Sequence, residues 1–339
     1  MIITQTPFRM SFFGGGTDMK SFFEKYGGAV LSTTFDKYCY VNVRHLPRFF
    51  DYSTELSYSK TERVKKVEEI EHPAIRNAMN MLDMHEIRLT YEADLPARSG
   101  LGTSSSFAVG MLNAFYALKG KYADKKKLAD EAICLERELC QEAGGWQDQI
   151  AASFGGFNRI NFNMDGTYDV LPVIISPERK RRLNNNLMMF FTGFTRFSSD
   201  VQKANIGTKE TQEGKEKRLL EMLALVDRAE NILTDKSEDL DEFGRLLDHT
   251  WKLKKQTGSA VSTNSIDVLY DTGIQAGALG GKLLGAGGGG FLVFYVQPEH
   301  QESVKEAMKD LLYIPFSFED GGTRVIHYTP ETYVPLEDR

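Results

Sequence analysis

Leu95-Pro96-Ala97-Arg98-Ser99-Gly100-Leu101-Gly102-Thr103-Ser104-Ser105-Ser106-Phe107 is the stretch whose reading decides the fold. Before it, Ile87, Leu89 and Tyr91 alternate with Arg88 and Thr90, the period-two pattern of a strand. After it, Phe107, Met111, Leu112, Phe115 and Leu118 share one face of a helix with 3.6 residues per turn. Gly100 and Gly102 let the backbone between them approach an anion, and the first amides of the helix point at it with the positive helix end behind them. The hydroxyls of Thr103, Ser104, Ser105 and Ser106 can cap those amides or reach a metal ion. The run reads as a phosphate cradle or, taken alone, as a plain Ser-rich helix cap.

Two more glycine clusters tip that balance. One is Pro7-Phe8-Arg9-Met10-Ser11-Phe12-Phe13-Gly14-Gly15-Gly16-Thr17-Asp18, the other Lys282-Leu283-Leu284-Gly285-Ala286-Gly287-Gly288-Gly289-Gly290-Phe291. Glycine runs cost backbone entropy, so three of them point to special backbone conformations or to a ligand. Residues 285–290 satisfy Gly-x-Gly-x-x-Gly, but the buried-strand run Phe291–Val296 follows, where a dinucleotide site would open a helix. The chain has no Gly-x-x-x-x-Gly-Lys-Ser/Thr segment and no His-Arg-Asp with Asp-Phe-Gly. P-loop enzymes and protein kinases are excluded.

The 339 residues suffice for two domains, and 41% hydrophobic with 26% charged residues is ordinary globular composition. A net charge of −6 argues against nucleic acid and anionic membranes as partners, so an anionic small molecule must meet local positive groups. Cys39, Cys134 and Cys140 form no metal-type pair and suit a reducing compartment. With no basic-then-apolar leader and no apolar run near the roughly 20 residues of a membrane span, a soluble cytoplasmic protein is expected. Strands are expected at Val30–Thr34 and Cys39–Val43, and helices at Pro73–Leu82 and Lys126–Glu142. Pro177–Asn186 reads as a charged connector. Helices at Lys215–Leu233, Leu240–Lys255 and Pro298–Leu312, and a final strand at Thr323–Tyr328, complete the pattern.

The three glycine motifs, in this order, resemble those of the GHMP small-molecule kinase superfamily, and the resemblance spans the chain. It implies an α+β GHMP kinase fold: an S5-like α/β N-terminal domain over residues 1–183 and a ferredoxin-like C-terminal domain over 184–339, with the active site between them. It also implies ATP and Mg²⁺ as cofactors, a small-molecule substrate, no nucleic-acid or membrane partner, and leaves room for a homodimer. Within the superfamily, Arg9–Asp18, Gly145-Trp146-Gln147-Asp148-Gln149 and Phe191-Thr192-Gly193-Phe194-Thr195-Arg196 are most similar to the D-glycero-D-manno-heptose 7-phosphate kinases. That likeness implies an ATP-dependent kinase acting on the anomeric hydroxyl of that sugar phosphate to give the 1,7-bisphosphate. Fucokinases share a similar opening, so another sugar 1-kinase or a catalytically silent sugar sensor are the rival readings.

Residue by residue, the resemblance makes Asp148 the carboxylate that orients the sugar hydroxyl and accepts its proton, and Arg9 the cation beside it. Glu136 and Ser104 match the magnesium ligands. Pro96, Gly100, Leu101, Gly102, Thr103, Ser104 and Ser105, with Gly287 and Gly288 of the third motif, would bind the nucleotide. Gly15, Gly16, Thr17 and Asp18 would bind the sugar, and the two glycines give more room there than galactokinases have. A distal phosphate calls for a cation among Arg44, Arg48, Arg98, Arg196 and Lys203, of which Arg196 follows a strand in a polar glycine-bearing loop. Lys282 reads as a lining of the third loop or as a solvated strand-edge charge.

Overall fold

The computed structural model describes residues 1–97, 99–193, 212–258, 261–285 and 287–329. Its strands are β1 (Ile2–Phe13), β2 (Gly28–His45), β3 (Thr54–Ser57), β4 (Thr61–Val64), β5 (Ile87–Ala93), β6 (Phe157–Phe162) and β7 (Tyr168–Pro172). They continue as β8 (Leu187–Phe191), β9 (Gly280–Leu283), β10 (Phe291–Tyr295), β11 (Leu312–Ile314), β12 (Phe318–Glu319) and β13 (Arg324–Tyr328). The helices are α1 (Lys20–Tyr26), α2 (Pro73–Met81), α3 (Thr103–Leu118), α4 (Lys125–Ile133) and α5 (Gln147–Phe154). Beyond these come α6 (Pro177–Asn185), α7 (Gln212–Thr234), α8 (Asp241–Lys255), α9 (Asn264–Gln275) and α10 (Gln301–Ala307).

Nine strands form one sheet in the order β13-β1-β2-β5-β3-β4, with β6 and β12 also on β2 and β7 on β6. A second, antiparallel sheet runs β11-β8-β10-β9. Helices α3 and α5 cover β1 and β2, while α8 covers β9 and β10. One apolar core joins the two sheets: Phe8, Met10, Phe12 and Phe13 of β1 pack with Phe243 of α8 and with Val293 and Tyr295 of β10. Phe243 presents its edge to Phe12 and Phe13 at centroid distances of 5.3 and 5.1 Å, a favoured aromatic geometry. Among the described residues no helix is long and apolar enough to cross a membrane.

The elements depart from sequence expectation where local pattern is weak. The two early strands are one, β2, because both halves pair continuously with β1. The expected Lys126–Glu142 helix is α4 followed by a π-helical turn over Cys134–Leu139. Pro177–Asn186 is not a connector but helix α6, started by Ser176, whose hydroxyl accepts from Arg179 N, and by proline in the first turn. Its composition hid it, since Leu183 is its one buried residue. The helix expected at Pro298–Leu312 stops at Ala307 and gives way to β11. The last two strands leave the second sheet: β12 and β13 return to β2 and β1.

The second and third glycine motifs meet backbone to backbone. A Cβ on Gly100 (φ +82°) would overlap the Leu284 carbonyl, one on Gly285 (φ +83°) the Gly100 backbone, and one on Gly290 the Ser99 carbonyl. Left-handed backbone alone costs a non-glycine residue about 1–2 kcal/mol, and overpacking adds about 1–3 kcal/mol. Gly285→Ala should therefore lower stability in urea denaturation by about 2–5 kcal/mol. Gly166→Ala, with φ +83° but nothing within 4 Å, should lose only the conformational part. Equal losses for the two variants would contradict the backbone contact.

Candidate active site

The site is built where β1, the glycine turn before α3 and the first turn of α5 converge. Arg9, 4% exposed, lies on β1, and its backbone N–H donates to Leu101 C=O at 3.2 Å, tying strand to turn. Its guanidinium donates from Nε (2.8 Å) and lies 2.7 Å by Nη2 from the same Asp148 oxygen, Oδ1, while Nη1 donates to Gly100 C=O at 2.7 Å. Asp148 is thus held by one oxygen, and its Oδ2 faces the turn. A Cβ on Gly102 would lie 3.4 Å from Oδ2 and 3.3 Å from Arg9 Cγ, so the turn comes directly against the pair. Gly102 is the residue that starts α3, with φ +73° and no side chain to cap the helix. The helix start therefore presents backbone amides beside a carboxylate–guanidinium pair, the arrangement an anionic phosphoryl group needs.

Asp18 closes the other side. It is 2% exposed, accepting from Gly16 N–H at 2.8 Å and Gln147 N–H at 3.3 Å. Trp146 N–H donates to its backbone carbonyl, so Asp18 fastens the start of α5, the helix that carries Asp148. Gly145 is glycine for space: a Cβ there would overlap the Asp18 carboxylate. Burial, and then the nearby Asp148 charge, raise the Asp18 carboxyl above its usual range.

Glu136, also 2% exposed, sits in the π-helical turn. Its Oε2 accepts from Ser105 Oγ at 2.6 Å and from Gln149 Nε2, with Arg137 Nη2 at 3.9 Å. Arg137 in turn donates to the carbonyls of Gly145 and Glu142, linking the π turn to the loop before α5. Ser104, the expected partner of Glu136, is exposed on the first turn of α3, and the hydroxyl on Glu136 is that of Ser105. One buried carboxylate with adjacent hydroxyls fits Mg²⁺, which keeps waters and phosphate oxygens for most of its shell.

Several other expectations change. Thr17 is fully buried, with its hydroxyl within bonding distance of the Gly14 and Ala29 carbonyls and the Ala29 N–H, so it shapes the loop and does not face a substrate. Gly287 packs on Val261, whose carbonyl accepts the Gly288 N–H, so the third glycine loop rests on the segment before α9. Leu101 belongs to the core, and Pro96 is exposed at the start of the turn. Arg44 stands about ten residues along β2 from the row of Arg9, roughly 30 Å of strand, and Arg48, farther still, pairs with Glu86. Arg98, Arg196 and Lys203 lie outside the described residues.

Among the described residues, two lysines reach the centre beside Arg9. Lys282 is 2% exposed and donates to Phe12 C=O at 2.7 Å, so although β9 is the edge strand of its sheet this charge is buried and not solvated. Lys254, in the last turn of α8, donates to Gly285 C=O. Sequence pattern hides Lys254, because Lys252, Lys254 and Lys255 read as the ordinary basic end of a helix.

The GHMP kinases N terminal domain family matches residues 62–156, and the GHMP kinases C terminal family matches residues 228–314. The chain is 31% identical over 338 residues to a D-glycero-alpha-D-manno-heptose 7-phosphate kinase of Campylobacter jejuni, spanning 95% of this chain and 98% of that protein. A bifunctional fucokinase/GDP-fucose pyrophosphorylase of Arabidopsis thaliana is 25% identical over 68% of this chain and 22% of its own length. Among solved structures, a D-glycero-D-manno-heptose 1-phosphate kinase from Bacteroides thetaiotaomicron superposes with a TM-score of 0.76 at 24% identity, covering 96% of this chain and 99% of that one. Galactokinase of Lactococcus lactis, complexed with galactose, gives 0.70 at 16% identity, covering 95% and 94%.

The raised Asp18 carboxyl has a thermodynamic signature. Between its unfolded value of 3.8 and the higher folded value, the native state holds the extra proton, so this group's contribution to stability falls as pH rises through that window. Asp18→Asn lacks the group. The stability of wild type relative to the variant, measured by urea denaturation, should decline from about pH 4 upward and then level off. A relative stability that climbs with pH would show that the carboxyl is not raised.

Proposed function

The chain belongs to the GHMP kinase family, and we propose that it is a sugar 1-kinase whose acceptor is the anomeric hydroxyl of D-glycero-D-manno-heptose 7-phosphate. The observation that carries the reading is Asp148, held at Oδ1 by Arg9 and turned by Oδ2 toward an uncapped glycine-led helix start. The acceptor is favoured by the relative that aligns with nearly the whole chain. It is favoured also by the space at Gly15, where a Cβ would meet nothing closer than 3.8 Å. Ser11 Oγ and Gln147 Oε1, buried without partners among the described residues, flank that space and suit sugar hydroxyls.

In the reaction, the sugar O1 forms a bond to the γ-phosphorus of ATP while the bond to the β,γ-bridging oxygen breaks, ADP leaving with the electron pair. Asp148 Oδ2 takes the hydroxyl proton, and Arg9 holds Oδ1 in place. The first-turn amides of α3 and the Arg9 guanidinium face the charge that develops on the transferring group. Glu136 with the hydroxyls of Ser104 and Ser105 would hold Mg²⁺, which when bound neutralises phosphate charge. Arg196 is the residue we assign to the distal phosphate.

ADP release with Mg-ATP against heptose 7-phosphate, mannose 6-phosphate, fucose and galactose tests the acceptor. Heptose 7-phosphate should give a kcat/KM at least about 100-fold above the neutral sugars. Turnover of a neutral sugar alone would sink the sugar-phosphate assignment. Asp148→Asn should lower kcat by about 10²–10⁴-fold with ATP affinity nearly unchanged. Loss of ATP binding in that variant would remove Asp148 from the role of base.

A further inference from the structure

The glycine seam brings two cations side by side. Arg9 Nη1 donates to the Gly100 carbonyl and Lys254 Nζ to the Gly285 carbonyl, and Gly100 and Gly285 are themselves in backbone contact. The two charges therefore reach the cradle from opposite halves of the molecule, Arg9 from β1 of the first sheet and Lys254 from α8 over the second. Among the described residues Lys254 has no carboxylate within ion-pair distance, and an ammonium has three N–H groups of which the Gly285 bond uses one. The charged groups facing it are Arg9 on β1, Asp18 in the first glycine loop, Asp148 on α5 and Lys282 on β9.

We propose that Lys254 is a catalytic residue that grips the transferring γ-phosphoryl group, completing from the second half of the chain a clamp whose other arm is Arg9. The proposal rests on the phosphate-cradle reading of Gly100–Ser105 but not on which sugar is the acceptor. No bond is made or broken at Lys254: its free N–H groups hold γ-phosphate oxygens while O1 replaces the bridging oxygen at phosphorus. Burial, and then the Arg9 charge, lower its ammonium from 10.5 to about 8, against the pull of Asp18 and Asp148. An amine so placed gains on receiving a dianionic terminal phosphate.

The test needs no sugar. Calorimetric titration with the Mg²⁺ complexes of ADP and of the nonhydrolysable analogue AMP-PNP isolates the γ-phosphate. In Lys254→Met, AMP-PNP affinity should fall about tenfold while ADP affinity stays within about twofold. Wild-type AMP-PNP affinity, relative to the variant's, should also weaken as pH rises past about 8, where the amine loses its proton. Equal losses for the two nucleotides would make Lys254 a prop for the third glycine loop, and no loss would leave it outside the site; either overturns the proposal. If Lys254→Met does not fold, Lys254→Gln, which retains a donor for Gly285, gives the same comparison. A wild type that binds neither nucleotide would instead overturn the cradle reading itself.

Discussion

Two backbones pressed together without side chains between them set the geometry of this site. Gly100 and Gly285 cannot carry a Cβ, and neither can Gly290 against Ser99. Because the contact is between main chains, it leaves little freedom for the turn before α3 to shift relative to the strand pair β9–β10. Arg9 then reads that turn twice, through its own N–H and through Nη1. The position of Asp148 follows from Arg9 and from Asp18, which fastens the start of α5. Glycine here is less a source of flexibility than the means by which two loops become one rigid floor.

Charge is distributed on that floor at a cost to the empty protein. Lys282 is held well below the ordinary amine range by burial and by its cationic neighbours, while Asp18 is held above the carboxyl range. Buried charge without full compensation destabilises a fold by several kcal/mol in unfavourable cases. Such an arrangement persists where a ligand of opposite charge completes it, as phosphate oxygens would. The arrangement is pre-formed, so little reorganisation accompanies the arrival of the reacting group.

Much of this was legible in the sequence, and the rest was hidden for identifiable reasons. Gly102 belongs to a glycine turn that the local pattern displays, while Arg9, Asp18 and Asp148 could be chosen because their motifs resemble those of the GHMP kinases. Lys254 could not, because nothing near it in sequence distinguishes it from Lys252 and Lys255, and its role depends on a contact with Gly285. That the hydroxyl bonded to Glu136 is Ser105 and not its neighbour Ser104 was not legible, because adjacent residues on a helix differ by 100° in direction, which composition does not reveal. Thr17 looked available since a Thr-Asp pair after three glycines resembles a binding turn, but the carbonyls it meets are those of Gly14 and Ala29. Helix α6 has one buried residue, leaving too little apolar periodicity to read.

The return of β13 to β1 carries a consequence for how the molecule comes into being. Ile2 pairs with Tyr328 and Gln5 with Arg324, so the strand bearing Arg9 gains its outer neighbour only when nearly the whole chain is available. On a ribosome, β1 would emerge early and wait with one edge bare, a template for wrong pairing. Contacts this distant along the chain form slowly, since loop closure must precede them. The first strand to be synthesised, the one that carries Arg9, is therefore among the last to be sealed.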